Sequence, residues 1–240
     1  LAGRQGDVVL PGYTHMQQAM PSSVRLWCGG FDEAFADAEQ GLAAARRRLD
    51  RNPLGSAAGY GTPGLPLDRE HTTRALGFSE CQYPVTAVQL SRGKAESGLL
   101  FELTLTASDL GRLASDLLLF YTQEFGYVEL AAEVTTGSSI MPQKRNPDVL
   151  ELVRGASATV KACLDECLML TAKLPSGYQR DLQRMKAPLF RAIDLVGDSV
   201  DIMAHVVSGL AFRPERVRLD PGIHAAEQAN QLVVRDGIPF

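Results

Sequence analysis

Apolar residues recur at alternating steps of four and three in several segments of this 240-residue chain. Between residues 185 and 210 they are Leu189, Ile193, Val196, Val200, Met203, Val207 and Leu210. Such spacing places apolar side chains along one face of a long helix. Similar stripes run through 31–49, 99–120 and 149–164. The pattern predicts an all-α fold, an elongated bundle of long helices, and contains no convincing strand ladder.

Glycine and proline interrupt these stripes in two regions of the chain. Residues 52–67 are rich in both and predict a loop over one end of the bundle. Beyond the last stripe, Pro214 and then the pair Asp220-Pro221, which is typical of a helix start, indicate a domain boundary. We therefore predict two parts: a central helical bundle in 1–209 and a truncated C-terminal helical domain in 210–240.

Composition narrows the classes of function. A net charge of −4 gives no reason to expect nucleic-acid binding, and no apolar run approaches the ~18 residues that a membrane span requires. Four cysteines in a chain of this length suit a reducing compartment, so we expect a cytoplasmic protein. Cys163 and Cys167 would share one helix face, and we predict buried apolar packing for them rather than metal binding.

The densest concentration of reactive side chains lies in residues 137–148, which read GSSIMPQKRNPD. Asn146 is predicted to be the N-cap of a helix whose first position is Pro147. The N–H groups of such a helix start, together with Lys144 and Arg145, would form an anion site. The alternative interpretation is a glycine- and serine-rich linker beside a solvated basic patch.

A hydroxyl held next to an anion site indicates chemistry on a carboxylate. Ser138 or Ser139 could act as a base if loop amides, a helix dipole and Lys144 stabilised its alkoxide. Spacing alone does not choose between the two serines, and turn or capping roles remain open for both.

Other polar residues have both chemical and structural interpretations. His15 precedes a helical pattern, where an isolated histidine is commonly structural, and Glu151 could simply complement a helix dipole. Tyr178 and Gln183 can hydrogen-bond an amino-acid tail and Lys186 can bind its carboxylate, but the three also suit a solvated helix face.

Four stretches of the chain resemble the fumarase/aspartase superfamily, and within it the argininosuccinate lyase family. The loop has every fixed position of the superfamily pattern Gly-Ser-Ser-x-x-Pro-x-Lys-x-Asn. The matching stretches are PGYTHMQQ at 11–18, LGSAAGYGTPGLPLDRE at 54–70, TGSSIMPQKRNPDVLELVRG at 136–155 and YQRDLQRMK at 178–186.

The resemblance implies cleavage of argininosuccinate to arginine and fumarate, without a metal or organic cofactor. It favours Ser138 as the carbon base. It implies that His15, oriented by Glu151 of another subunit, delivers a proton to the leaving nitrogen. The implied substrate-binding residues are Thr14, Lys144, Asn146, Tyr178, Gln183 and Lys186. It also implies a homotetramer whose active sites combine segments of three subunits.

The same resemblance raises two further expectations. The family's chains are considerably longer, with an N-terminal active-site segment absent before the loop-like LAGRQGD. We therefore expect a fragment, or a part of a longer chain, and no turnover by residues 1–240 alone. At the position of Gln143, fumarase- and aspartase-like loops usually carry glycine, and adenylosuccinate-lyase-like loops usually carry histidine. Those relatives, and a non-catalytic crystallin-like protein, are the alternatives.

Overall fold

The computed structural model describes residues 1–237, and long helices dominate it. Four helices contain 24 to 28 residues each, which confirms the all-α prediction. In chain order the helices are α1 (Ala2–Gln5), α2 (Val24–Leu49), α3 (Arg69–Leu76), α4 (Val85–Leu90), α5 (Lys94–Tyr121), α6 (Asp148–Thr171), α7 (Lys186–Gly209) and α8 (Ala225–Asp236). Short 3-10 helices cover Ala132–Val134, Arg180–Met185 and Pro214–Arg216. None of the helices in this part of the chain is long and apolar enough to cross a membrane.

Short strands pair two by two beside the helices. They are β1 (Val9–Thr14), β2 (Gln17–Ser23), β3 (Arg51–Asn52), β4 (Glu80–Cys81), β5 (Val128–Glu129), β6 (Thr136–Gly137), β7 (Arg145–Asn146) and β8 (Ala211–Phe212). Strands β3 and β4 pair in parallel, whereas β1 with β2, β5 with β8 and β6 with β7 pair antiparallel.

The β1–β2 hairpin contradicts the expectation that the chain contains no strand ladder. Its partners run from Val9 opposite Ser23 to Thr14 opposite Gln17. Buried and exposed positions do not alternate along either strand, and Pro11 faces Pro21 across the ladder. The alternation that identifies strands in a sequence is therefore missing here.

The described chain forms two compact units. The first contains Leu1–Ala34, Arg112–Leu152 and the chain from Ile202 onward; the second contains Phe35–Gly111 and Val153–Asp201. The predicted boundary between 209 and 210 stays a prediction. The last three residues of the predicted C-terminal domain, 238–240, lie outside the described residues.

A buried apolar cluster holds the second unit together. Helices α5, α6 and α7 supply most of it: Leu100, Leu103, Ala107, Val160, Cys163, Cys167, Ala192 and Val196. The predicted burial of Cys163 and Cys167 is confirmed, and burial raises the pKa of the Cys167 thiol to about 11. Neutral thiols at physiological pH behave as small apolar side chains.

Aromatic rings occupy the interior of the first unit. The centroid of Trp27 lies 5.9 Å from that of Phe120 and 5.7 Å from that of Phe212. The indole N–H of Trp27 donates to a carboxylate oxygen of Asp116 at 2.9 Å, so its polar atom is satisfied. Amphipathic rings of this kind contribute large apolar areas while keeping their donors paired.

Helix boundaries confirm some predictions and correct others. No helix or strand lies between 53 and 68, as predicted for the 52–67 loop. The opening segment is not a loop, because Ala2–Gln5 form α1. Helix α8 begins at Ala225 rather than at Asp220-Pro221, since the residues in between form a turn in which the Ile223 N–H donates to the Asp220 carbonyl.

Several apolar side chains on the long helices remain exposed in the single chain. In the predicted 185–210 stripe, Val196 and Met203 are buried, but Val200 is 43% exposed. Leu152 on α6 is 73% exposed and Phe190 on α7 is 59% exposed. Apolar surface of this kind is typical of faces that meet another protein.

Candidate active site

The 137–148 loop is closed at its base by the β6–β7 pair. Thr136 lies opposite Asn146 and Gly137 lies opposite Arg145. The Thr136 hydroxyl donates to a carboxylate oxygen of Asp148 at 2.6 Å, and the Asn146 amide donates to that hydroxyl at 3.5 Å. The two ends of the loop are therefore tied together, and residues 138–144 project as one closed turn.

Ser138 lies at the start of this turn, where its hydroxyl oxygen accepts two backbone hydrogen bonds. The donors are the N–H of Ile140 at 3.3 Å and the N–H of Met141 at 3.1 Å. Two N–H groups directed at one oxygen stabilise that oxygen more when it is negative than when it is neutral. Ser139 is exposed and has no side-chain hydrogen bond within the described residues.

Lys144 completes the turn, since its backbone N–H donates to the Met141 carbonyl at 3.0 Å. Its side chain is exposed and makes no ion pair within residues 1–237. Ile140, at the tip, is 86% exposed. The same turn thus carries the Ser138 hydroxyl and a cation that has no carboxylate partner within residues 1–237, which favours binding of an anion.

The predicted helix cap needs correction. Helix α6 begins at Asp148, after Pro147, whose carbonyl accepts from the N–H groups of Leu150 and Glu151. Asn146 is not the N-cap, because its backbone pairs in the β6–β7 ladder and its side chain bonds Thr136. Asp148 and Glu151 do lie in the first turn, where carboxylates complement the helix dipole.

His15 lies at the tip of the β1–β2 hairpin, not near a helix start as predicted. His15 and Met16 form the turn, with φ angles of +52° and +61°. Side chains other than glycine rarely adopt this left-handed conformation, and such strain is concentrated at functional positions. Thr14 precedes the tip, and both Thr14 and His15 are exposed.

The first unit contains most of the predicted site: Thr14, His15, Ser138, Lys144, Asn146 and Glu151. Within the described chain, however, neither the His15 ring nor the Glu151 carboxylate forms a side-chain hydrogen bond or ion pair. The predicted pairing of these two residues between subunits stays a prediction.

The remaining predicted residues lie in the second unit and two of them are in contact. The Gln183 amide donates to the Tyr178 hydroxyl at 3.2 Å. Lys186 is the first residue of α7 and is exposed. The 3-10 helix Arg180–Met185 brings Tyr178 and Gln183 together, in place of a regular helix face.

One residue that holds the loop was not predicted from the sequence. Thr136 bonds both Asp148 and Asn146, and so ties the serine turn to the start of α6. A threonine directly before Gly-Ser-Ser was the only signal, and threonine is common in turns for many reasons.

Comparison with known proteins places the chain in a family. The lyase family model matches residues 1–161. An argininosuccinate lyase from Stenotrophomonas maltophilia (strain R551-3) is 45% identical over 241 residues, which cover 100% of this chain and 55% of that protein. This chain therefore spans about half the length of the curated relatives it matches.

Solved structures of lyases and fumarases share the fold of this chain. EDDS lyase in complex with formate has a TM-score of 0.89 at 28% identity, covering 99% of this chain and 48% of that chain. A class II fumarase from Schistosoma mansoni shares the fold at 20% identity, with a TM-score of 0.82 over 96% of this chain and 53% of that chain. Since the family model matches well over half of its residues, this chain belongs to the lyase family, within the fumarase/aspartase superfamily.

Proposed function

We propose that the protein containing this chain cleaves argininosuccinate to arginine and fumarate by anti β-elimination, a step of arginine biosynthesis in the cytoplasm. The observation that carries the proposal is the Ser138 oxygen, which accepts two backbone N–H groups in a turn that also presents Lys144. The similarity to argininosuccinate lyases over the whole of this chain supports the choice of substrate.

Ser138 is the base in this proposal. It removes a proton from the carbon beside one succinyl carboxylate, and the electron pair delocalises into that carboxylate to give a dianion. A serine hydroxyl is a poor base unless its alkoxide is stabilised. The N–H groups of Ile140 and Met141 supply this stabilisation. Breaking of the carbon–nitrogen bond then returns the electron pair as the double bond of fumarate.

Lys144 and Asn146 stabilise the dianion. The ammonium group supplies a point charge, and the neutral amide supplies a hydrogen-bond donor. The β6–β7 pair contains Asn146 and joins the two ends of the turn that carries Ser138 and Lys144, before the charge develops. Preorganised donors of this kind stabilise a transition state without reorganising during the reaction.

The leaving guanidinium nitrogen requires a proton donor, and we assign this role to His15. Glu151 of a second subunit orients its ring in this scheme, and Thr14 binds substrate beside it.

Tyr178, Gln183 and Lys186 bind the amino-acid end of the substrate, a role that their polar groups suit. The active form is a homotetramer in which each site draws on three subunits. None of these steps needs a metal ion or an organic cofactor.

The test is fumarate release by the full-length protein, followed by ultraviolet absorbance with a panel of substrates. The panel contains argininosuccinate, adenylosuccinate, aspartate, malate and a succinylated diamine, the last because of the likeness to EDDS lyase. We expect argininosuccinate to give the highest kcat/KM by at least tenfold. A higher kcat/KM for another member would reassign the substrate, and absence of turnover with all of them would contradict catalysis.

A further inference from the structure

The side chain of Gln18 holds a distant segment of the first unit by two hydrogen bonds. Its amide nitrogen donates to the Arg218 carbonyl at 2.9 Å. Its amide oxygen accepts from the Asp220 N–H at 2.8 Å. A glutamine amide paired in this way with a donor and an acceptor of another backbone fixes both its own position and that of the segment.

The other strand of the hairpin is anchored at the same level. Tyr13 is the cross-strand partner of Gln18. The Tyr13 hydroxyl lies 3.4 Å from that of Tyr127, and the Tyr127 ring stacks on Phe125 at 5.2 Å between centroids. Both strands are thus attached to the first unit one residue pair below Thr14 and Gln17.

The turn beyond that pair needs such support. His15 and Met16 both have positive φ, a conformation that costs free energy for residues other than glycine. An exposed two-residue tip with this cost keeps its conformation only where the surrounding contacts determine it. Within residues 1–237, the side-chain contacts of Tyr13 and Gln18 are the nearest to the tip that reach another part of the chain, and Gln18 supplies two of them.

We propose that Gln18 is a positioning residue: by binding the 218–220 segment it fixes the hairpin tip, and thereby the imidazole of His15. The inference rests on the proposed proton-donor role of His15. Gln18 acts only through that ring and does not touch the reacting atoms. The segment 218–220 consequently links the orientation of the ring to the chain that follows it.

A matched control lies in the same unit. Gln5 makes the same kind of paired contact, since its amide donates to the Phe212 carbonyl at 2.9 Å and accepts from the Phe212 N–H at 2.8 Å. It lies in α1, before the hairpin, and is not next to the tip. Removing either glutamine loses two hydrogen bonds, but only Gln18 is attached to the turn.

The experiment is a double-mutant cycle with the full-length protein. We expect Gln18→Ala to lower kcat by about 10–100-fold, since displacement of a catalytic group by about 1 Å has effects of this size. In a His15→Asn background the same change should lower kcat less than twofold, because the ring through which it acts is absent. Gln5→Ala should lower the melting temperature similarly while keeping kcat within twofold.

Three results would overturn the proposal: wild-type kcat in Gln18→Ala, an equal loss in Gln5→Ala, or an undiminished loss in the His15→Asn background. If the wild-type protein releases no fumarate, the proposed function fails, and the positioning role is then judged from the imidazole signals in nuclear magnetic resonance. His15→Asn identifies the His15 signal. The positioning role requires Gln18→Ala to shift that signal and Gln5→Ala to leave it in place.

Discussion

The two serines of the loop, which spacing could not separate, differ clearly in their surroundings. Ser138 is half-buried and its hydroxyl oxygen accepts two N–H groups, whereas Ser139 is exposed. The sequence contained the residue types needed for carboxylate chemistry. It did not show that the backbone N–H groups of Ile140 and Met141 point at the Ser138 oxygen, because their direction depends on how the β6–β7 pair closes the loop. Geometry therefore supports Ser138 on grounds independent of the family resemblance.

The base assignment predicts separate effects for the two serines. Ser138→Ala should lower kcat by about 10²–10⁴-fold, the usual contribution of a general base. Substrate affinity should change little, because the lost interaction belongs to the transition state. Ser139→Ala serves as the matched control and should lose less than tenfold. Near-normal kcat in Ser138→Ala, measured by steady-state fumarate release, would move proton abstraction to another group, with His15 the next candidate.

Lys144 should behave differently from the base. Its charge interacts with the substrate carboxylate and more strongly with the dianion, so Lys144→Ala should raise KM and lower kcat together. Arg145→Ala is the neighbouring control, since the Arg145 guanidinium lies beside Gly137 at the loop base rather than in the turn. We expect its kcat/KM to fall much less. Equal losses in the two variants would indicate that the general positive charge of the loop, not Lys144, is what matters.

The helices were predictable because four long stripes repeat with helical period. The stripes coincide with α2, α5, α6 and α7, and only Leu210 lies beyond the end of its helix. The hairpin was not, because Pro11 and Pro21 and a non-alternating burial pattern conceal it. Its attachment to the rest of the first unit depends on contacts of Gln18 with residues about 200 positions away. The predicted start of α6 was wrong by one residue, again because of a contact between residues distant in the chain: pairing with Thr136 takes Asn146 out of the cap position.

The start of α5 offers a test of helix-end packing in the second unit. Gly93 has a φ of +84°, and its N–H donates to the Glu96 carboxylate at 2.7 Å. A methyl group at Gly93 would overlap the Thr171 side chain, whereas one at Gly77, with a φ of +76° at the end of α3, would meet nothing within 4 Å. Both positions share the backbone strain, but only Gly93 adds a steric clash.

We therefore expect Gly77→Ala to destabilise the fold by about 1–2 kcal/mol, the cost of the left-handed conformation. Gly93→Ala should cost about 1–3 kcal/mol more, because the half-buried Thr171 side chain must be displaced. Thermal denaturation of the two variants under identical conditions measures the difference. Equal melting temperatures would mean that the space around Gly93 is not tightly packed.

Apolar side chains left exposed on the long helices bear on the whole molecule. Leu152, Phe190 and Val200 are 73%, 59% and 43% exposed in the described chain. Phe190 and Val200 lie on α7, the helix that carries the predicted 185–210 stripe. A stripe that is only partly buried within its own chain suits a helix shared between subunits. This supports the proposed homotetramer, in which His15 and Glu151 would pair between subunits.

Sharing of active sites between subunits can be tested by mixing inactive variants of the full-length protein. In tetramers formed from equal amounts of His15→Asn and Ser138→Ala chains, sites that take these residues from different subunits should be intact in about a quarter of cases. Activity should rise from near zero to about that fraction of wild type. The control pairs Ser138→Ala with Asn146→Ala: both residues belong to one loop, so every loop in the mixture carries one defect and no activity should return. If hybrid tetramers are demonstrated by mass spectrometry and the first mixture stays inactive, His15 and Ser138 act from the same subunit, and the shared-site proposal is wrong.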